Sequence, residues 1–175
     1  MDPPRTEWLE LVDEQGRVTG CARRSACHTN PALLHRVVHV LVVDNLGRLL
    51  LQRRAPNKDI QPDKWDTSVG GHVTPGEALE DAARREMREE LGITTGTLEF
   101  LYQYLWRSDV EREWVTSFLC RHNGAYQFDP VEISACRWWP LAEIDAAHAP
   151  SIFTPNLLDE LRRYAQWVCS CSTNM

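Results

Sequence analysis

The chain has 175 residues, 43% of them hydrophobic and 25% charged, which suits a single domain able to bury one core. Its formal net charge of -6 and pI near 5.5 argue against a broad nucleic-acid-binding or anionic-membrane surface, so any phosphate recognition must be local. No run of 18 apolar residues occurs, and the opening MDPPRTEWLE lacks a basic stretch followed by an apolar one, so neither a membrane span nor a secretory leader is read and a cytoplasmic protein is expected.

In chain order, Trp8 to Val12 and Arg17 to Ala22 flank Glu14-Gln15-Gly16 and predict an opening hairpin. Arg36 to Val43 and Arg48 to Arg53 flank Asp44-Asn45-Leu46-Gly47 and predict a second, richer in Leu and β-branched residues. Trp65 to Val69 reads as a short strand running through a glycine turn into a helix of about 15 residues, started by Pro75-Gly76 and stopped by Gly92. Strands follow at Thr97 to Trp106, Trp114 to Arg121 and Cys136 to Trp139. The last element is a helix with Thr154 as N-cap, Pro155 at its first position and a buried stripe of Leu157, Leu158, Leu161, Tyr164, Ala165 and Val168. The organisation is one domain over 1-175: hairpin and loop to residue 34, core over 36-150, and a C-terminal helix over 154-169. The opening strands before Leu34 offer an edge for a second subunit, as in a homodimer. Six scattered cysteines, with no CxxC pair, read as reduced thiols, Cys169 and Cys171 lying in a polar tail.

The helix after Gly71 carries the chemistry. Glu86, Glu89 and Glu90 are three and four residues apart and rise from one face, Glu77 begins the same helix more than two turns earlier, and Leu79, Ala82, Ala83, Met87 and Leu91 line the opposite face. A helix with Arg84, Arg85 and Arg88 interleaved can be no more than a solvated surface of Glu/Arg pairs. However, carboxylates about 4 Å apart repel by roughly 4 kcal/mol a pair at an effective dielectric near 20. A hard divalent cation shared with substrate phosphates would offset that repulsion.

From Gly71 through Glu77, Arg85-Glu86-Met87 and Glu89-Glu90 to Gly92-Ile93, the string matches GX5EX7REUXEEXGU at every specified slot. Chance agreement of nine slots in such a chain is on the order of one in ten million. The chain resembles the Nudix superfamily. The resemblance implies an α/β (α+β) fold, an α/β/α sandwich with a mixed β-sheet, and hydrolysis of a nucleoside diphosphate derivative with Mg2+ or Mn2+. It further implies Glu86, Glu89, Glu90 and the Gly71 carbonyl as metal ligands, Arg85 steering the carboxylates, and Glu89 or Glu90 orienting the attacking water.

The flanking text is similar to the isopentenyl-diphosphate isomerase branch: His28, then His35-Arg36-Val37-Val38, Leu50 to Arg54, Lys58, Trp65 and Gly70-Gly71-His72. Residue by residue, His28, His35, His72, Glu111 and Glu113 match that branch's metal ligands. Arg24, Arg54 and Lys58 match its diphosphate contacts, and Trp138 a tryptophan whose ring faces the isoprenoid. Two departures oppose isomerisation: the branch's proton-transferring cysteine is Gly70 here, which has no side chain to move a proton, and the branch lacks carboxylates at the slots of Glu86 and Glu89. The expectation is therefore a pyrophosphohydrolase of the isomerase-like subgroup acting on a small-molecule diphosphate. Glu89 is the first candidate base, Glu113 and Glu132 are alternatives, and Trp65 or Trp138 stacks on the carried group. The rival readings are an isomerase and a non-catalytic diphosphate-binding module.

Overall fold

Ten residues rich in Val, Leu34-His-Arg-Val-Val-His-Val-Leu-Val-Val43, form the strand on which everything else is laid, β3. In the computed structural model, which describes residues 7-146 and 152-173, the order around it is β1 (Trp8–Val12), β2 (Val18–Arg23), α1 (Arg24–Cys27), β3, β4 (Leu49–Arg54), β5 (Trp65–Asp66), β6 (Val69–His72), α2 (Leu79–Leu91), β7 (Leu98–Arg107), β8 (Arg112–Arg121), β9 (Ile133–Trp139), α3 (Leu141–Ala146) and α4 (Pro155–Thr173). Residues 1-6, read above for the lack of a leader, and 147-150 at the end of the expected core lie outside the described residues.

The sheet is mixed. β3 pairs in parallel with β8 along its whole length, from Leu34↔Arg112 to Val43↔Arg121, and β7 continues outward antiparallel to β8. On its other edge β3 meets β1 at Leu11↔His35 and β6 over Val37–Val40. Alternation along β3 divides the core in two. Val38, Val40 and Val42 pack with Ala82, Ala83, Met87 and Leu91 of α2 on one face; Leu41 and Val43 pack with Leu119, Trp139, Phe153, Leu157 and Tyr164 beneath α4 on the other. Burying Met87 and Leu91 alone contributes roughly 1.5–3 kcal/mol each. Helices on both faces of a mixed sheet make the α/β/α sandwich that the resemblance implies.

Four expectations are corrected. The second hairpin is a single bridge, Val43↔Leu49: β6 already occupies that edge of β3, so β4 swings away to pair with β9 and β5. The stretch from Trp65 is two strands, and Gly70 and Gly71 belong to the second of them, in the ladder with β3, so they form no turn. The chain turns later, with the Glu77 N–H donating to the Thr74 carbonyl. Glu77 therefore precedes the helix, which runs 13 residues from Leu79 and closes on Gly92 at φ 64°, a left-handed cap that only glycine adopts without strain. Finally, Thr154 does cap α4 by accepting the Leu157 N–H at 3.2 Å, but Ala165 and Val168 are exposed while Glu160 is fully buried. The inner face is turned toward Glu160 because its partners lie beneath it in the sheet.

Cys21, Cys27, Cys120 and Cys136 are free thiols, and Cys169 and Cys171 sit on α4 instead of a tail. Among the described residues no helix is long and apolar enough to cross a membrane.

Candidate active site

At the end of the sheet where β6, the C-terminal half of α2, the loop after β4, the segment around Glu111 and the start of α4 converge lies a cavity of about 1010 Å3. Its walls include Arg85, Glu86, Glu89, Glu90 and Gly71 of the box, His28, His72, Glu111 and Glu113, and the cations Arg24, Arg54 and Lys58. His35 sits behind the wall, fully buried.

The box glutamates are held by a network that their spacing allows. Arg85 donates Nε and Nη2 to the two oxygens of Glu77 at 2.8 and 2.9 Å, Nη1 to Glu86 at 2.6 Å and Glu89 at 3.2 Å, and Nη2 to the His72 carbonyl at 3.0 Å. One planar fork thus ties the turn, the helix and β6 together. Glu90, buried at 9% exposure, accepts from Gln52 Nε2 at 3.1 Å and from the Gly70 N–H at 3.3 Å. Burial, then the charge of Glu86, pushes the Glu90 carboxyl up to about 8; burial likewise raises Glu86 despite Arg85 beside it. Gly71 is explained by close approach: a Cβ there would lie 2.5 Å from Glu86 Cγ and overlap the carboxyl group outright. Packed carboxylates that resist ionisation, over a strand stripped of side chain to admit them, are a donor set suited to a hard divalent cation.

The second set also comes together. Ring centroids of His28, His35 and His72 stand 5.1 to 5.7 Å apart. Nε2 of His28 lies 3.1 Å from Nε2 of His72, and His72 Nδ1 is 2.9 Å from Glu7 Oε1, the carboxylate expected behind a ligating imidazole. One donor atom from each of the three histidines, and one each from His35, Glu111 and Glu113, fall within 4.8 Å of one another. Among the described residues neither ring nitrogen of His35 has a hydrogen-bond partner. Burial, then the neighbouring imidazoles, pushes His35 down to about 3 and His28, with burial again the main cause, to about 4, so both rings are neutral and ligand-ready. Burial raises both carboxyls, Glu111 pushing Glu113 further. Orphaned buried nitrogens beside paired carboxylates fit a transition divalent metal.

The predicted anion grips are less free than their sequence suggests. Arg24 is forked onto Asp59 at 3.1 and 3.2 Å, Arg54 binds Asp66 at 3.1 Å and the Ile60 carbonyl at 3.0 Å, and Lys58 is paired with Glu132. A ligand phosphate must exchange with these carboxylates. Trp138 is not brought to the cavity: its ring packs on the α2-side core, edge-on to Tyr126 at 6.2 Å, because β9 alternation sends it there beside Leu50. Trp65 packs against Trp139. Among the described residues the tryptophan in the cavity wall is Trp106, on β7.

Sequence reading also missed His39 and Glu160. His39 lines the cavity, and its Nδ1 lies 2.6 Å from Oε2 of the fully buried Glu160. Burial pulls the ring toward neutrality, but Glu160 outweighs it, with Glu113 and Asp66 adding, and the pKa is pushed up to about 9. The period-2 alternation that carries His35 to the α4 face carries His39 there too, a signal present in the sequence; nothing local marks Glu160.

A NUDIX domain model matches residues 33–158. The chain is 35% identical over 162 residues to a Nudix hydrolase of Yersinia pestis, covering 93% of this chain and 86% of that one. It is 38% identical over 160 residues to an isopentenyl-diphosphate Delta-isomerase of Nocardia farcinica, covering 87% and 91%. Among solved structures, a Deinococcus radiodurans protein matches with a TM-score of 0.76 at 30% identity, over 90% of this chain and 98% of that one. The NUDIX domain of Shewanella oneidensis NrtR, solved with ADP-ribose, matches at 0.63 and 18% identity over 76% and 87%, a likeness of fold. With the nine-slot box folded over a glycine strand and these relatives spanning nearly its whole length, the chain belongs to the Nudix superfamily, among members that include both hydrolases and isopentenyl-diphosphate isomerases.

Proposed function

We propose that the protein hydrolyses the diphosphate linkage of a nucleoside diphosphate derivative or related organic diphosphate, with Mg2+ or Mn2+ as cofactor. The observation that carries this reading is the complete box: Glu86, Glu89 and Glu90 face one cavity, with Arg85 bracing Glu86 and Glu89, Gly71 leaving room for Glu86, and Gln52 and the Gly70 N–H holding Glu90. Glu86, Glu89, Glu90 and the Gly71 carbonyl would hold the cation. When bound, it supplies Lewis acidity, neutralising phosphoryl charge and making a water more acidic. Glu89, with its side chain 52% exposed at the cavity mouth, takes the proton from the attacking water. Arg24, Arg54 and Lys58 exchange their carboxylate partners for phosphoryl oxygens and orient the diphosphate. Binding of ADP-ribose by the Shewanella NUDIX domain supports a ligand of this class. The test is a panel of nucleotide sugars, ADP-ribose, nucleoside di- and triphosphates and isoprenoid diphosphates with Mg2+. At least one should release a monophosphate product, and Glu89→Gln should slow that release at least about 100-fold; equal turnover by the variant would remove the mechanism.

A second reading, isomerisation of an isoprenoid diphosphate, is favoured by the assembled His28, His35, His72, Glu111 and Glu113 set and by the Nocardia relative. Gly70 stands against it, having no side chain. Proton NMR in deuterated water distinguishes the two: exchange at the allylic carbon of the substrate without loss of phosphate would establish the isomerase.

A further inference from the structure

His39 stands directly across from Gly70 in the β3–β6 ladder and is 5% exposed, toward the cavity that it lines. Its Nδ1 is committed to Glu160 Oε2 at 2.6 Å. The other Glu160 oxygen accepts from Ser117 Oγ, so the carboxylate is fixed from two sides. Nε2 is the ring's other nitrogen, with no hydrogen-bond partner among the described residues. A Cβ on residue 70 would stand 3.4 Å from His39 Cδ2 and 3.5 Å from Nε2, so a longer side chain there would lie over the ring edge, and glycine leaves it open. Glu160 of α4 is the carboxylate that touches the ring, and Asp66 of β5, itself paired with Arg54, adds negative charge nearby. Such a setting favours the imidazolium, with a proton on both nitrogens.

We propose that His39 is a catalytic proton donor, giving its Nε2 proton to the leaving oxygen of the diphosphate, and that Glu160 is the positioning residue that fixes the ring. This deepens the hydrolase reading and rests on it. In the step, water oxygen forms a bond to one phosphorus while the bond from that phosphorus to the bridging oxygen breaks. The water's proton goes to a carboxylate, the His39 proton goes to the departing oxygen, and the neutral imidazole, still bonded to Glu160 through Nδ1, is reprotonated from solvent.

The test compares two leaving groups in the full chain with Mg2+. One substrate is the panel diphosphate that the wild type turns over fastest; the other is a nucleoside monophosphate 2,4-dinitrophenyl ester, whose phenolate departs without a proton. His39→Gln should lower kcat on the diphosphate about 100-fold with KM within about threefold, and leave the dinitrophenyl ester within about threefold. Glu160→Gln should act in the same direction by about tenfold. The ratio of the two rates cancels any loss of folded enzyme. An equal loss on both substrates, or no loss on either, overturns the proposal while the hydrolase reading stands; a wild type that cleaves no diphosphate overturns both.

Discussion

Gly71→Ala should separate stability from activity. The added methyl would lie 2.5 Å from Glu86 Cγ and closer still to the carboxyl group, whereas nonbonded carbons settle near 3.5–4.0 Å. The Glu86 head must therefore retreat by at least about 1 Å. The retreat itself is inexpensive, because the obstructing atoms are the end of a flexible side chain and residue 71 is extended strand, so the fold should lose no more than about 1 kcal/mol, or about 2–4 °C in Tm. A metal ligand cannot move that far and still coordinate, since ligand distances hold to about 0.2 Å, and a 1 Å misplacement near reacting atoms costs on the order of 100-fold. The assay is kcat on the best panel diphosphate across a Mg2+ titration, beside thermal unfolding without metal. Turnover within about threefold of wild type at every Mg2+ concentration would refute the reasoning. So would a Tm fall above about 8 °C, which would show that Gly71 serves the fold rather than the site.

Arg85→Lys keeps the charge but replaces the fork that reaches Glu77, Glu86, Glu89 and the His72 carbonyl with a single point, and should lower kcat by roughly 10–100-fold, measured in the same assay. Mass spectrometry under native conditions should find about one Mn2+ or Zn2+ per chain that chelation removes and that His35→Leu does not retain; in the metal-free state that variant should unfold at higher denaturant than wild type, because the orphaned His35 nitrogens are gone. The His39–Glu160 pair sets a pH dependence of stability. With the folded pKa raised from 6.5 to about 9, its contribution is complete below pH 6.5 and fades as pH rises through about 9, a loss of about 3 kcal/mol between those limits. Urea unfolding of wild type between pH 6 and 10 should show a decline that His39→Gln lessens by about that amount, the raised carboxyl of Glu90 supplying a further fall up to about pH 8.

What the sequence disclosed follows from how local each feature is. The box helix was legible because Glu86, Glu89 and Glu90 need only the helical period to converge, and β3 because its apolar run is long. The five-residue His/Glu set was reached through resemblance, since Glu111 and Glu113 meet His35 only across the parallel ladder. α1 and α3 are too short for a period to register. The splayed second hairpin was hidden because another strand, β6, decides the register. Trp138 misled because a single tryptophan carries no information about which face of its strand it occupies. His39 and Glu160 lie 121 positions apart, and a lone Glu within an apolar stripe reads as an edge residue until its partner is seen.

The full-length pairing of β3 with β8 also governs the order in which this chain assembles. β3 leaves the ribosome about seventy residues before its parallel partner, an interval of several seconds or more at 5–20 residues per second. Until then the sequence Val-Val-His-Val-Leu-Val-Val presents an apolar, β-branched edge with one flank open, the kind of segment that recruits another chain. The nascent protein is thus most exposed to aggregation while the box carboxylates at 86, 89 and 90 are being made, and a truncation before residue 112 should yield inclusion bodies instead of a smaller soluble fragment.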